Sequence, residues 1–359
     1  SLTKEFATAF DYSFFNDIFK ESTEATLYSK QLVRILSRTN VFCCRLLFKE
    51  IYKDESFSSI RDPERCIQIM RWAYKFGIYE RLSDELTDPN NRSDEKFAKV
   101  IQRLRRAFII GLSVSFWIRL SDQRPESGGD SNRKEFINHV CKFWQKALDG
   151  FAQIEQEKAN KKLQEISKIQ DQNIKNAETK KVNDKLRIVE KAKNTFPAPS
   201  YNEWTNIIKE ECKCYADLFV EDDECVSKND ALSENIWVSF ICIMNNIPLW
   251  IIGKPGTSKS LALSIVINKF LNHNSTNPKI TKIPPLVSKT FMCSNTTTTE
   301  AIKDQLGKIA SRANIYSSNY IVRIQILEEI GYAIMSPVNP LACMHNIIDN
   351  GYEQSPGKF

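Results

Sequence analysis

The sequence predicts an α/β protein in which an all-helical N-terminal part is followed by a parallel-sheet core. Three observations carry that expectation. Apolar residues recur at helical spacing through residues 1–150, and no run there has the period of two that a half-buried strand shows. Residues 201–359 alternate helix-period stretches with short apolar runs, the rhythm of helices laid over a parallel sheet. The first of those apolar runs turns through glycine directly into a helix.

The elements follow in order. Helical spacing is clear from Gln31 to Leu36, from Cys66 to Tyr74 and from Ile101 to Leu120. The plainest helix start lies at Ser58 to Arg65, where Asp62 can cap, Pro63 suits the first helical position and Glu64 favours the positive end of the dipole. Residues 151–195 are rich in Lys, Glu, Gln and Asn with thin apolar spacing, and no Gly or Pro interrupts them. They predict a long solvated helix or a partly disordered insertion, without the sustained seam of a coiled coil. Phe196, Pro197, Ala198, Pro199 and Ser200 punctuate the chain. Domains are therefore expected at 1–150, 151–200 (a linker) and 201–359. In the last, a helix over Ala231–Met244 leads to a strand at Pro248–Ile252, a glycine turn and a helix to Leu271. A second strand, Leu286–Cys293, a helix from Glu300 to about Ala313, and a third strand, Tyr320–Leu327, complete the rhythm.

Composition narrows the function classes. Of 359 residues, 42% are hydrophobic and 26% charged, which suits packed domains rather than a disordered chain. No stretch reaches the ~18 apolar residues of a membrane helix, so no transmembrane segment is expected. The start at Ser1 has no initiator Met and no apolar signal core, which reads as an internal fragment. The ten cysteines read as reduced thiols of a cytoplasmic protein. Cys212 and Cys214 with Cys225 lack a fourth metal ligand, since His139, His273 and His345 lie far off in sequence. The net charge of +6 comes from basic residues interleaved with 44 acidic ones, a solvated surface rather than a specific nucleic-acid site.

The chemistry concentrates in Gly253, Lys254, Pro255, Gly256, Thr257, Ser258, Lys259 and Ser260, with Leu261 following in the helix. Phosphate binding needs backbone N–H groups aimed at one point, which a helix N-terminus supplies with its positive dipole end, and glycines let the loop close around oxygen atoms. A run of this kind between an apolar strand and a helix is a P-loop, the phosphate site of an ATPase. Lys259 is expected to reach the β- and γ-phosphates of ATP, and the Ser260 hydroxyl to sit on Mg²⁺. The pattern ordinarily has glycine before the lysine; here it is Ser258, which is expected to adopt the helix-start conformation. The third strand ends in Glu328-Glu329, where such a sheet places its acidic pair. Glu328 stands at the magnesium-ordering position with one methylene more than Asp, and Glu329 is the candidate catalytic base.

The run Ile247 to Ala262 resembles the P-loop region of the mysterins, giant cytosolic AAA+ proteins that also carry a RING-type ubiquitin ligase module. Serine before the lysine is usual in that family. Ala231–Ile243, Phe291–Glu300 and Ile326–Gly331, with Ser336, Pro337 and Asn339–Leu341, resemble its neighbouring segments. Phe57–Cys66 with Met70–Tyr74 resembles the helical lid of a preceding AAA+ module, in which the residue matching Arg61 holds a sensor-2-like place near that module's nucleotide. The resemblance implies an incomplete AAA+ core truncated after the acidic strand (Walker B), with sensor-1, the arginine finger and the RING outside these residues. It also implies other AAA+ modules of the same chain as partners, and a ubiquitin-conjugating enzyme and protein substrates as partners of the parent. The cytoplasm is the expected location, with lipid-droplet or membrane-surface association by family resemblance.

The sequence thus predicts ATP binding and hydrolysis by an AAA+ module that drives conformational change in a ubiquitin ligase. The alternative is a non-catalytic module holding ATP as a structural ligand, which Glu328 in place of Asp favours. A nucleic-acid motor would need strand-tracking basic or aromatic motifs, which the sequence lacks.

Overall fold

A computed structural model describes residues 35–44, 46, 61–76, 93–120, 130–220, 226–271, 284–311, 321–334 and 339–344. The sequence-predicted features at Gln31–Arg34, Ser58–Ile60, Cys225, His273, Tyr320, Ser336, Pro337 and His345 lie outside them. The chain divides into two compact units, Ser1–Glu211 and Cys212–Phe359.

In the first unit, residues 35–44 are helical, and α1 (Arg61–Phe76) and α2 (Ser93–Ser115) pack along one another. They meet at Gly111, where an added Cβ would lie 2.7 Å from the Cys66 carbonyl oxygen. A 3₁₀ turn over Trp117–Arg119 ends the pair. Its Arg119 reaches back to Asp62 at 3.1 Å, and the same carboxylate meets Arg65 at 3.5 Å. Asp62 thus ties α1 to the 3₁₀ turn in addition to standing at the helix start. Arg133 covers the Trp117 ring at 4.4 Å while its Nε donates to the Leu120 carbonyl at 2.9 Å.

Helix α3 (Asn132–Ser167) starts on a Ser131 cap, whose hydroxyl accepts from the Lys134 amide. Its first half supplies Phe136 and Trp144 to the core, both fully buried. The Trp144 ring lies 5.1 Å from Phe108 and 5.1 Å from Phe196. Its second half pairs with α4 (Gln172–Thr195), so the charged stretch folds as a helical hairpin. The break falls between Lys168 and Asp171, where the Asp171 carboxylate accepts from the amides of Asn173 at 2.8 Å and Ile174 at 3.2 Å. That is an N-cap, made by an aspartate inside a run without glycine or proline. Ala159, Ile166 and Val182, flanked by Leu163, Ile169 and Leu186, form the apolar seam of the hairpin. Helix α5 (Tyr201–Phe219) is held to α2 by charge: Arg105 pairs with Glu203, and Arg106 donates to Glu211 at 2.9 and 2.8 Å and to Glu210 at 2.8 Å.

In the second unit, α6 (Asp230–Met244) begins on Asn229, whose side chain accepts from the Leu232 amide at 2.9 Å. Its Phe240 sits against Tyr215 and Phe219 at 5.2 and 5.1 Å and against Phe270 at 5.8 Å. Phe270 belongs to α7 (Lys259–Leu271), which packs on α6 and on β1 (Leu286–Met292). Strand β1 pairs in parallel with β2 (Val322–Glu328), from Leu286 opposite Val322 to Met292 opposite Glu328. Helix α8 (Thr299–Ser311) makes the crossover and packs on both strands. A short α9 (Ile330–Ile334) follows. The protein is mostly helical with a small parallel sheet.

The expected strand Pro248–Ile252 joins no ladder among the described residues. Its period is that of a buried strand, yet Leu249, Trp250 and Ile252 are 38%, 46% and 88% exposed. The physical reason is that an apolar run becomes a strand only where a neighbour accepts its backbone hydrogen bonds. The described sheet has two strands, and neither pairs with it.

Candidate functional site

The glycine turn between Ile252 and α7 is built almost wholly from its own atoms. Gly256 has φ 80° and Ser258 φ 57°, two left-handed residues that bend the chain back towards α7. Gly253 is needed for room rather than for φ. A Cβ there would stand 3.2 Å from the Thr257 hydroxyl and 3.8 Å from the Lys259 ammonium. That ammonium folds over the turn and donates to the carbonyls of Gly253 at 2.8 Å and Lys254 at 2.7 Å, and to Thr257 Oγ1 at 3.1 Å. The Thr257 hydroxyl in turn donates to the Lys254 carbonyl at 2.9 Å. Lys259 opens α7, and the Ala262 amide closes the first helical bond on the Ser258 carbonyl at 2.9 Å. Lys254, Pro255 and Ser260 are exposed, and Leu261 is 43% exposed on the outer face of α7.

A further residue holds this turn from outside it. Asn235, one turn into α6, donates from its amide to the Thr257 carbonyl at 3.0 Å. Sequence reading missed it, because a contact across 22 residues leaves no local pattern.

The acidic pair stands at the carboxyl end of β2. Glu328 is the last residue of the ladder and half-buried, and its carbonyl accepts from the Cys293 amide at 2.9 Å. Glu329 is exposed with φ 53°, at the bend between β2 and α9, where its carbonyl accepts from the Tyr332 amide at 3.0 Å. At the matching end of β1, Thr297 is buried and its hydroxyl accepts from the Ser294 amide at 2.8 Å. Arg61 is the first residue of α1, half-buried, in the first unit. Among the described residues no group of three His, Cys, Asp or Glu side chains converges as a metal site. Burial pushes the Cys141 thiol up to about 12 despite the neighbouring Arg105, which keeps it protonated.

A glycine turn opening a helix, followed by a parallel strand pair with a helical crossover, is the arrangement of an AAA domain fragment. Residues 225–358 match the family model of the RNF213 AAA domain. Over 314 residues, 87% of this chain, it is 23% identical to E3 ubiquitin-protein ligase rnf213-beta of Danio rerio. It is 30% identical over 159 residues, 44% of the chain, to E3 ubiquitin-protein ligase RNF213 of Homo sapiens, and 30% over 168 residues, 46%, to that of Mus musculus. The chain spans 5% of the length of the first of these relatives and 3% of each of the others. The resemblance to the mysterin family is thus shown, at modest identity, and its AAA part coincides with the second compact unit.

Proposed function

We propose that the 253–260 turn binds the phosphates of ATP with Mg²⁺, and that the module hydrolyses ATP to drive conformational change in a mysterin-like ubiquitin ligase. The observation that carries this reading is the Lys259 ammonium, held over a turn whose two left-handed residues sit at the mouth of a helix. The residues fit the ligand: Gly253 leaves open a cradle that a Cβ would fill, and the Ser260 hydroxyl and Glu328 carboxylate are hard oxygen donors of the kind Mg²⁺ takes. Bound Mg²⁺ would neutralise charge on the phosphates. Lys259 would exchange its loop carbonyls for phosphate oxygens, and exposed Glu329 would take the proton of the attacking water. Arg61 would serve the nucleotide of a preceding module. Other AAA+ modules, a ubiquitin-conjugating enzyme and protein substrates would be partners of the longer protein, in the cytoplasm.

Titration with mant-ATP and Mg²⁺ tests the site. Lys259→Ala should weaken binding about 10- to 100-fold, the worth of a charge-assisted hydrogen bond of ~1.5–3 kcal/mol. Equal binding by the two proteins would sink the reading. A second reading, ATP as a structural ligand, is favoured by Glu328, whose longer side chain leaves the last rung of the ladder where Asp is usual. Phosphate release by the longer protein separates the two. Release abolished by Glu329→Gln supports hydrolysis, while binding without release supports the structural role.

A further inference from the structure

We propose that Asn235 is a positioning residue for anion binding: its amide fixes the Thr257–Ser258 peptide so that the Ser258 N–H faces the phosphate side of the turn. The inference rests on the reading of the turn as a phosphate site and adds to it a residue from a different helix. Peptide bonds here are trans, so the carbonyl and the N–H of one peptide point to opposite sides. With the Thr257 carbonyl drawn towards α6 by Asn235 at 3.0 Å, the Ser258 N–H of the same trans peptide is turned away from α6. A flipped peptide would put a carbonyl oxygen where an anion has to sit and would repel it.

The turn needs such a hold because of Ser258. A residue with a Cβ is strained at φ 57°, and strained backbone persists only where its surroundings over-determine it. Asn235 stands on a platform fit for that task. Helix α6 is capped by Asn229, its Ile236 and Trp237 are fully buried, and Phe240 is wedged among three rings. Thr257 is therefore gripped at both ends, its carbonyl by Asn235 and its hydroxyl between Lys259 and the Lys254 carbonyl. The serine that replaces the usual glycine and the asparagine on α6 form one device: the first introduces a conformational cost, and the second holds the backbone against it.

The test is a double-mutant cycle on the full chain, read as mant-ATP affinity in Mg²⁺. Asn235→Ala should weaken binding about 5- to 10-fold, and Asn235→Asp, which sets a carboxylate against the Thr257 carbonyl, should weaken it further. In a Ser258→Gly background, where the left-handed conformation is free, Asn235→Ala should lose about 2-fold or less. Melting curves of all variants check that α6 has not come apart. Affinity unchanged by Asn235→Ala, or an equal loss in both backgrounds, overturns the proposal while leaving the phosphate site standing. A chain that binds no mant-ATP, or that binds it as well with Lys259→Ala, overturns both.

Discussion

Ser258 carries the largest local cost in the turn. The left-handed region costs a residue with a Cβ about 1–2 kcal/mol, which glycine escapes. Ser258→Gly is expected to raise unfolding stability by about 1 kcal/mol in urea titration, and a loss of stability would show that the serine hydroxyl is making up for its backbone. The placing of the glycine turn at a helix start and of the acidic pair at a strand end was legible in the sequence because each is contiguous with its element. Asn235 was not, since a polar residue in the second turn of a helix reads as solvated until the fold brings Thr257 to it. Glu155 is a second residue of this hidden kind. Its side chain is 6% exposed, with Lys158 at 2.7 Å on its own helix and Lys185 at 2.7 Å on α4. Burial pushes its carboxyl up, but the hydrogen bonds and charges of the two lysines outweigh burial and hold it below the usual carboxylate range. A carboxyl lowered in the folded state adds stability above its unfolded value of about 4.3 and loses it as pH falls through the folded value. The hairpin should therefore loosen below about pH 4, ahead of the α1–α2 core. Amide exchange measured along the acid titration would show the two segments releasing together if the tie is of no account.

Among the elements, helices were the more readable. Periodicity placed α6, α7 and α8 to within two residues of their ends, because each packs against a neighbour, whereas α2 begins at Ser93, eight residues before the expected Ile101, and ends five before Leu120. The hairpin was harder. Its seam is only Ala159, Leu163, Ile166, Val182 and Leu186, and its break depends on the backbone bonds of Asp171 rather than on glycine or proline. The strand at Pro248–Ile252 shows the limit from the other side: local sequence fixes that a run is apolar and extended, and only a neighbour makes it a ladder. Helix contact is sharpest where α1 crosses α2. Gly111→Ala would press a methyl group against backbone at 2.7 Å, with the Cys66 sulfur at 3.3 Å, so neither helix can yield cheaply. The expected loss is about 1–3 kcal/mol, read as a lower melting temperature. An unchanged melt would mean that the crossing is looser than it stands.

For the whole molecule, both units leave apolar side chains exposed, singly at Phe76, Ile154 and Ile174 in the first and close together in sequence at Leu249, Trp250 and Ile252 in the second. The first ties its helices with buried rings and with Arg106 on Glu211, whose carboxylate is 2% exposed. The second leaves Leu249, Trp250 and Ile252 in water, paired with neither of the two described strands. An exposed apolar run that no described strand pairs is a template for association, so the chain should self-associate as its concentration rises. Light scattering should rise with concentration and fall with Ile252→Lys; scattering indifferent to that change would place the sticky surface elsewhere. The hairpin has a mechanical consequence. With 36 residues, α3 is about 54 Å long at ~1.5 Å per residue, and α4 is braced to it by Glu155 and by Lys193 on Asp149 at 2.7 Å. The half of α3 beyond the core, about 27 Å, is a braced lever: a swing of about 10° at its root carries the far end through about 5 Å, enlarging a small rotation of the packed core.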